Sequence, residues 1–280
     1  MNNQADAYLP VEAEVIERIQ EAPTIFTLRL RFTDTTLRKT YRFLPGQFNM
    51  VYLYGVGEVA ISIVSDPDKR DEFSHTIRAV GRVTQALAKL QAGQSIGIRG
   101  PFGHGWPLEK AKGKDVIVLT GGLGCAPVTS AINYMIERPH QYGRLKILQG
   151  VKHSHDFIFY QRYRQWHEMP NTEVLIAADK ADTNWPFQTG HVTDRIAGLD
   201  LNPQNTIALL CGPEIMMEVG AHALLEKNMP ENAIYLSMER NMECAIAHCG
   251  HCQYGGLFIC KDGPVFPYSM VKDLLNIKGF

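Results

Sequence analysis

Near residue 112 the hydrophobic pattern of this 280-residue chain changes period, and that change does most to fix what it can fold into. Residues 10–108 hold short runs, several alternating and rich in β-branched or aromatic residues: "VEAEVIERIQ", "IFTLRLRF", "FNMVYLY", "EVAISIVS", "SHTIRAV" and "QSIGIRG". Turn residues part them, as in "LPGQ" at 44–47 and "SDPDKRDE" at 65–72. One insertion, "VTQALAKLQAG", has helical spacing, with Gly93 placed to end it. Many short strands with few helices predict a β-barrel or sandwich.

Beyond residue 112 the strands become continuous apolar runs alternating with helices. "DVIVLT" leads through the turn "GGLGCAP" into the helix "VTSAINYMIER"; "RLKILQGV", "FIFYQRYRQWHE" and "TEVLIAAD" follow. "HVTDRIAGL", "TIALLCGP", "EIMMEVGAHALLEK" and "AIYLSM" complete the alternation. Buried strands joined by helices predict an α/β, doubly wound parallel sheet. A short cysteine-rich piece ends the chain. The expected domains are 1–109, 112–236 and 237–280, with "KAKGK" at 110–114 as the linker.

Four of the six cysteines crowd into seventeen residues: Cys244, Cys249, Cys252 and Cys260. A disulfide knot, a structural zinc site and an iron–sulfur cluster compete to explain them. The start of the chain has neither the basic segment nor the apolar stretch of a signal peptide, and no apolar run approaches the length of a membrane span. The expectation is a cytoplasmic protein, whose thiols stay reduced. A chain this long has no need of disulfides in place of a core. The order C-x4-C-x2-C-x7-C begins as the plant-type [2Fe–2S] run does. A zinc ribbon prefers two C-x2-C knuckles separated by a longer span, and only Cys249 and Cys252 form one, so zinc fits poorly. Gly250, Gly255 and Gly256 let the loop wrap a cluster, and His248 and His251 read as loop residues. The net charge is −1, without a charged tail, which gives no sign of a nucleic-acid or membrane-surface partner.

Three further stretches suit a ligand. Thr120, Gly121, Gly122 and Gly124 lie between a buried strand and a helix start, where backbone N–H groups meet phosphate. The same pattern also fits a plain tight βα turn. Cys211, Gly212 and Pro213 end another apolar strand, although a buried cysteine before a turn needs no function. In "TIRAVGRVTQAL" a strand passes through Gly81 to Thr84 at a helix start, which serves a pyrophosphate or merely caps the helix.

In order, "LPGQF", "AISI", "VGRVT", "GPFGHGWP", "TGGLGCAP", "LLCGPEIMM" and "MECAIAHCGHCQ…CKDGPVF" resemble the ferredoxin–NADP reductase superfamily across nearly the whole chain. The resemblance is closer to its iron–sulfur branch. That branch holds the gamma (diaphorase) subunits of cytosolic [NiFe] hydrogenases (sulfhydrogenases), the corresponding subunit of anaerobic sulfite reductase, and the electron-transfer subunit of dihydroorotate dehydrogenase B. The resemblance implies a multidomain protein: an antiparallel β-barrel that binds FAD, the parallel-sheet domain for NADP or NAD, and a small C-terminal [2Fe–2S] lobe. Ile61, Ser62 and Ile63 would lie along the flavin, with Ile77, Arg78 and Ala79 beside it. Gly81, Val83 and Thr84 would hold the pyrophosphate. Gly121, Gly122 and Gly124, with Cys211, Gly212 and Pro213, would flank the nicotinamide and its diphosphate. Cys244, Cys249, Cys252 and Cys260 would ligate the cluster.

The superfamily's arginine three residues before the flavin-loop serine is Val59 here, so Arg78, Arg82 and backbone N–H groups would have to meet the phosphates. Asp179 and Lys180 stand where the superfamily reads the adenosine ribose: an acid favours a free hydroxyl and a base favours phosphate. The gamma-subunit resemblance inclines this pair toward NADP. Flavin adapts a hydride donor to a one-electron centre, which implies a path from NAD(P)H through FAD and [2Fe–2S] to a partner subunit. The expected partners are the large and small [NiFe] hydrogenase chains and an iron–sulfur subunit. No catalytic side chain is expected. The rivals are the sulfite reductase and dihydroorotate dehydrogenase complexes and, in another class, a non-catalytic assembly subunit with structural zinc.

Overall fold

The computed structural model describes residues 6–69, 71–275 and 277. They form two compact units, 1–105 with 239–264 and 106–238 with 265–280.

The first unit is built on β1 (Val11–Ala22), β2 (Ile25–Phe32), a short α1 (Thr35–Thr40), β3 (Phe48–Leu53), β4 (Gly57–Ser62), β5 (Phe73–Arg78), α2 (Arg82–Leu87) and β6 (Ser95–Phe102). The strands pair antiparallel in the order β4-β3-β6-β1-β2-β5. Alternation decides which side chains enter: Ala13 and Val15 of β1 are in the core while Glu12 and Glu14 are not. Val59 and Ile61 of one outer strand pack on the same core as Phe73 and Ile77 of the other. The His75 ring bonds the Ser62 carbonyl at 2.9 Å, and Val64 N–H donates to Ser74 at 2.9 Å, so the sheet closes on itself as a barrel. The helix expected from Val83 onward stops at Leu87. Gly93, at φ +87°, turns the chain so that its N–H donates to Val15.

The second unit holds α3 (Leu108–Ala111), β7 (Asp115–Gly121), α4 (Cys125–Ile136), β8 (Leu145–His153), α5 (Tyr160–His167), β9 (Thr172–Lys180), β10 (Gln188–Thr189), β11 (Thr206–Cys211), α6 (Glu214–Glu226) and β12 (Ile234–Ser237). The remaining elements are β13 (Gln253–Tyr254), β14 (Leu257–Phe258) and α7 (Ile259–Asp262) of the first unit, then β15 (Val265–Pro267) and α8 (Tyr268–Val271) of the second. The second sheet runs β10-β9-β8-β7-β11-β12-β15, parallel except that β15 pairs antiparallel with β12. From β7 the chain moves outward through β8 and β9, then returns to β11 on the other side. The β7–β11 junction is therefore the topological switch point, where ligands of such sheets bind.

The linker expected at 110–114 is corrected. Trp106 donates to Pro127 O at 3.0 Å, and Leu108 and Ala111 are buried, so this segment is already part of the second unit. The segment "HVTDRIAGL" forms a 3-10 helix, Val192–Gly198. α5 starts only at Tyr160, because Phe159 turns at φ +61°.

Candidate functional site

Four thiols converge in the loop that follows β12. Cys244, Cys252 and Cys260 are buried and Cys249 is exposed, and none forms a disulfide. Left-handed turns at Ala245 (φ +65°) and Ala247 (φ +58°) coil the backbone so that its N–H groups face sulfur. The Cys244 Sγ accepts from His248 N at 3.2 Å and Cys249 N at 3.4 Å, and the Cys260 Sγ accepts from Ala247 N at 3.1 Å. Burial pushes the Cys244 thiol up, but the N–H donors of Ile246, His248 and Cys249 outweigh it and bring it to about 7. Burial and the neighbouring Cys252 thiol push Cys260 up to about 12. Cys249 interacts with the Cys244 thiol, and both Cys252 and Cys244 act on Cys260, so the four thiols form one cluster.

Four clustered thiols with backbone N–H groups donating to the sulfurs suit a [2Fe–2S] cluster. His248 Nδ1 bonds the Tyr8 hydroxyl at 2.7 Å and His251 Nε2 pairs with Glu243 at 3.2 Å, so both histidines are engaged elsewhere.

Arg99 of β6, which sequence reasoning missed, fixes this loop to the barrel. It is buried and clasps Glu58 through Nε (2.7 Å) and Nη2 (2.6 Å). It also donates to the carbonyls of Ala7 (2.6 Å), Glu243 (3.1 Å) and Cys244 (3.2 Å). Two motifs noted separately in the sequence meet here: His104 N–H donates to Gly263 O at 2.5 Å, and a Cβ on Gly103 would lie 2.6 Å from that carbonyl.

On the barrel, Ile61 and Ser62 end β4 and are half-buried, whereas the side chains of Ile63 and Ile77 belong to the core, leaving only their backbone for a ligand. Ala79 N–H is used by Thr24 O at 2.8 Å. Behind Ser62 runs a buried chain: the Tyr41 hydroxyl donates to Asn49 (2.8 Å), and Asn49 Nδ2 meets His75 Nε2 (3.2 Å). The His75 Nδ1–H donates to Ser62 O. The Thr84 hydroxyl caps its own turn, accepting from Val80 N (3.1 Å) and Gly81 N (2.9 Å). The first-turn N–H groups of Arg82, Val83 and Thr84 have no partner within the helix. Among the described residues, Arg78 Nε is buried without a hydrogen-bond partner. An open groove of about 530 Å³ beside this turn carries Arg82 and Lys89. An orphaned guanidinium nitrogen and two cations over a groove fit a dinucleotide phosphate, so the residues present suit FAD.

At the switch point Thr120, Gly121, Gly122 and Gly124 meet Cys211, Gly212 and Pro213. A Cβ on Gly124 would overlap the Cys211 carbonyl, and one on Gly212, at φ +151°, would lie 2.8 Å from Gly121 N. Only glycine allows two backbones this close, and a strand-to-helix turn of this kind is one that can present backbone N–H groups to a phosphate. Asp179 and Lys180 end β9, two strands and roughly 10 Å along the same edge. Asp179 Oδ1 is 3.0 Å from His191 Nδ1.

A barrel with a cationic groove, a parallel sheet with glycine turns at its switch point, and a four-thiol loop define a class: a flavin- and nicotinamide-dependent reductase module with its own iron–sulfur centre. Three family models match in that order. "Oxidoreductase FAD-binding domain" matches residues 11–106, "Oxidoreductase NAD-binding domain" 118–222, and "Iron-sulfur cluster binding domain of dihydroorotate dehydrogenase B" 239–272. The chain is 35% identical over 255 residues to the sulfhydrogenase 1 gamma subunit of Pyrococcus furiosus, spanning 89% of this chain and 86% of that one. It is 35% identical over 260 residues to the probable dihydroorotate dehydrogenase B (NAD(+)) electron transfer subunit of Methanocella arvoryzae, spanning 92% and 90%. The chain belongs to this iron–sulfur branch of the ferredoxin–NADP reductase superfamily and is an NAD(P)H-dependent flavin oxidoreductase subunit. Its fold is shared with the NADH-dependent reduced ferredoxin–NADP oxidoreductase (TM-score 0.74, 21% identity, 94% and 92% covered). It is shared also with a Neisseria gonorrhoeae ferredoxin NADP+ reductase (TM-score 0.68, 21% identity, 80% and 96% covered).

Proposed function

We propose that the chain is the NADPH-linked electron-transfer subunit of a cytoplasmic [NiFe] hydrogenase complex. The observation that carries this reading is the likeness to two sulfhydrogenase gamma subunits of Pyrococcus furiosus, the second 33% identical over 97% of this chain and 98% of its own. Expected partners are the large and small hydrogenase chains and an iron–sulfur subunit. Among the described residues no helix is long and apolar enough to cross a membrane.

The chemistry supplied by bound FAD is the interchange of a hydride pair with single electrons. The chain's own residues bind and orient. Ser62, Arg78 and the Gly81–Thr84 turn hold the flavin nucleotide. The switch-point glycines hold the nicotinamide nucleotide's diphosphate, and the four cysteines hold the cluster. Ring-on-ring positioning is what hydride transfer asks of a protein, so no side chain need act as acid or base. Lys180 is exposed and, among the described residues, its side chain has no hydrogen bond or ion pair, while Asp179 is engaged by His191. A free ammonium beside a carboxylate already held by the His191 ring favours a 2′-phosphate, hence NADPH.

The test is to purify the intact complex from its source cells under anaerobic conditions and assay H2-dependent reduction of NADP+ and NAD+. Reduction of NADP+ by a complex containing a nickel-bearing chain supports the reading. The second reading, the electron-transfer chain of a dihydroorotate dehydrogenase, rests on the likeness to the Methanocella arvoryzae chain. It would be established by a flavin-barrel partner and dihydroorotate-dependent reduction of NAD+.

A further inference from the structure

Gln149 lies in the buried middle of the strand "LKILQGV" and is 1% exposed. A buried carboxamide is costly unless all its hydrogen-bonding capacity is met, and here it is. Its Oε1 accepts from the hydroxyls of Thr120 and of Tyr163, the latter at 3.0 Å. Its Nε2 donates to Gly122 O at 3.1 Å and Gly150 O at 2.9 Å. Gly122 is the residue of the switch-point turn that takes the left-handed conformation, at φ +54°. The side chain that fills the sheet beneath the turn is therefore bonded directly to the turn's carbonyl. Tyr163 of α5 and Thr120 of β7 lock the carboxamide from two sides, which fixes which end faces Gly122.

We propose that Gln149 is a positioning residue for the nicotinamide nucleotide. By holding the Gly122 carbonyl beneath the turn, it keeps the amides of the Gly121–Gly124 turn presented to the diphosphate before the nucleotide arrives. Without it, binding must order the turn, and affinity falls while hydride transfer from bound nucleotide does not. The inference rests on reading this turn as the nucleotide site.

The experiment measures NADP+ affinity by calorimetry and NADPH steady-state kinetics with a one-electron dye on the whole holoprotein, in wild type, Gln149→Met, Gln149→Glu and Tyr163→Phe. Gln149→Met is expected to raise the NADP+ Kd and the NADPH KM about tenfold, the order of one lost hydrogen bond plus turn ordering. Its kcat should stay within about twofold, and its flavin and iron content should be unchanged. Tyr163→Phe leaves the Gly122 contact in place and should stay within about twofold in Kd. Gln149→Glu keeps the acceptor for Thr120 and Tyr163 but turns an oxygen toward the Gly122 carbonyl. Its binding should be weakest at high pH and recover as pH falls and the carboxyl regains a donor, where wild type shows no such slope.

A folded Gln149→Met that binds NADP+ as wild type does would overturn the inference. Should that variant not fold, a Gln149→Glu protein that follows wild type across pH overturns it equally. Wild type that binds neither NADP+ nor NAD+ would instead overturn the reading of the turn itself.

Discussion

Arg99 is buried with its charge, and each of its five N–H donors has an acceptor: two on Glu58 and one each at Ala7, Glu243 and Cys244. Its removal leaves the Glu58 carboxylate without its partner and three carbonyls without donors. Arg99→Met should destabilise the first unit by about 3–5 kcal/mol and lower iron per flavin, because the cysteine loop loses its tie to the barrel. Lysine, with one compact ammonium, should not restore either property. Thermal unfolding and iron analysis check this; full iron content in Arg99→Met would contradict it. His75 yields a pH prediction. Burial holds its imidazole down to about 4 from the ordinary 6.5, although the Ser62 and Ile61 carbonyls pull the other way. Above pH 6.5 the ring is neutral both folded and unfolded, and its contribution is intact. Between 6.5 and about 4 only the unfolded chain takes up the proton, so stability drains away by a total of about 3 kcal/mol. Urea unfolding at pH 7 and pH 4.5 should show this loss in wild type and a flatter dependence in His75→Gln.

The turns after β7 and β11 act as one element, because each occupies the space a side chain on the other would need. Gly124→Ala pushes a methyl into the Cys211 carbonyl, so the two turns must part. The expected result is a loss of about 1–3 kcal/mol of stability together with a raised KM for the nicotinamide nucleotide. Unchanged KM would mean the turns do not form the site. These turns are legible in the sequence because glycine after an apolar strand is a local signal. The strand and helix alternation beyond residue 112 is legible for the same reason, as is the cysteine spacing. What escapes is non-local. Arg99 reads as an ordinary polar residue of an alternating strand until its partners, 41 and 145 residues away, are in place. Gln149, His75 and Asn49 likewise look like breaks in a pattern and acquire meaning only from partners outside their own strands, such as Tyr163 of α5, Ser62 of β4 and Tyr41. Ile63 and Ile77 lie on the expected flavin strands, yet their side chains turn inward, because alternation on a closed barrel sends every second residue to the core. The helix expected from Val83 to the approach of Gly93 is too long, since apolar spacing alone does not show where the turn toward β1 must begin.

At the scale of the chain, the two compact units divide the cysteine-rich end between them: Glu239–Pro264 belongs with the barrel, and Val265 onward supplies the edge strand of the parallel sheet. The stretch expected as a third domain, 237–280, is matched over 239–272 by the iron–sulfur domain model and spans that division. The boundary falls at Pro264, directly after the Gly263 carbonyl that His104 engages. The proposed electron path requires one chain to carry a flavin, a nicotinamide site and a two-iron centre. The direct test is the visible spectrum of anaerobically purified protein, recorded before and after NADPH and then NADH. Flavin bands are expected at about 450 nm over broader thiolate-to-iron absorption, with two irons per flavin and bleaching by NADPH in preference to NADH. A colourless protein holding zinc at the four cysteines would overturn the electron-transfer reading.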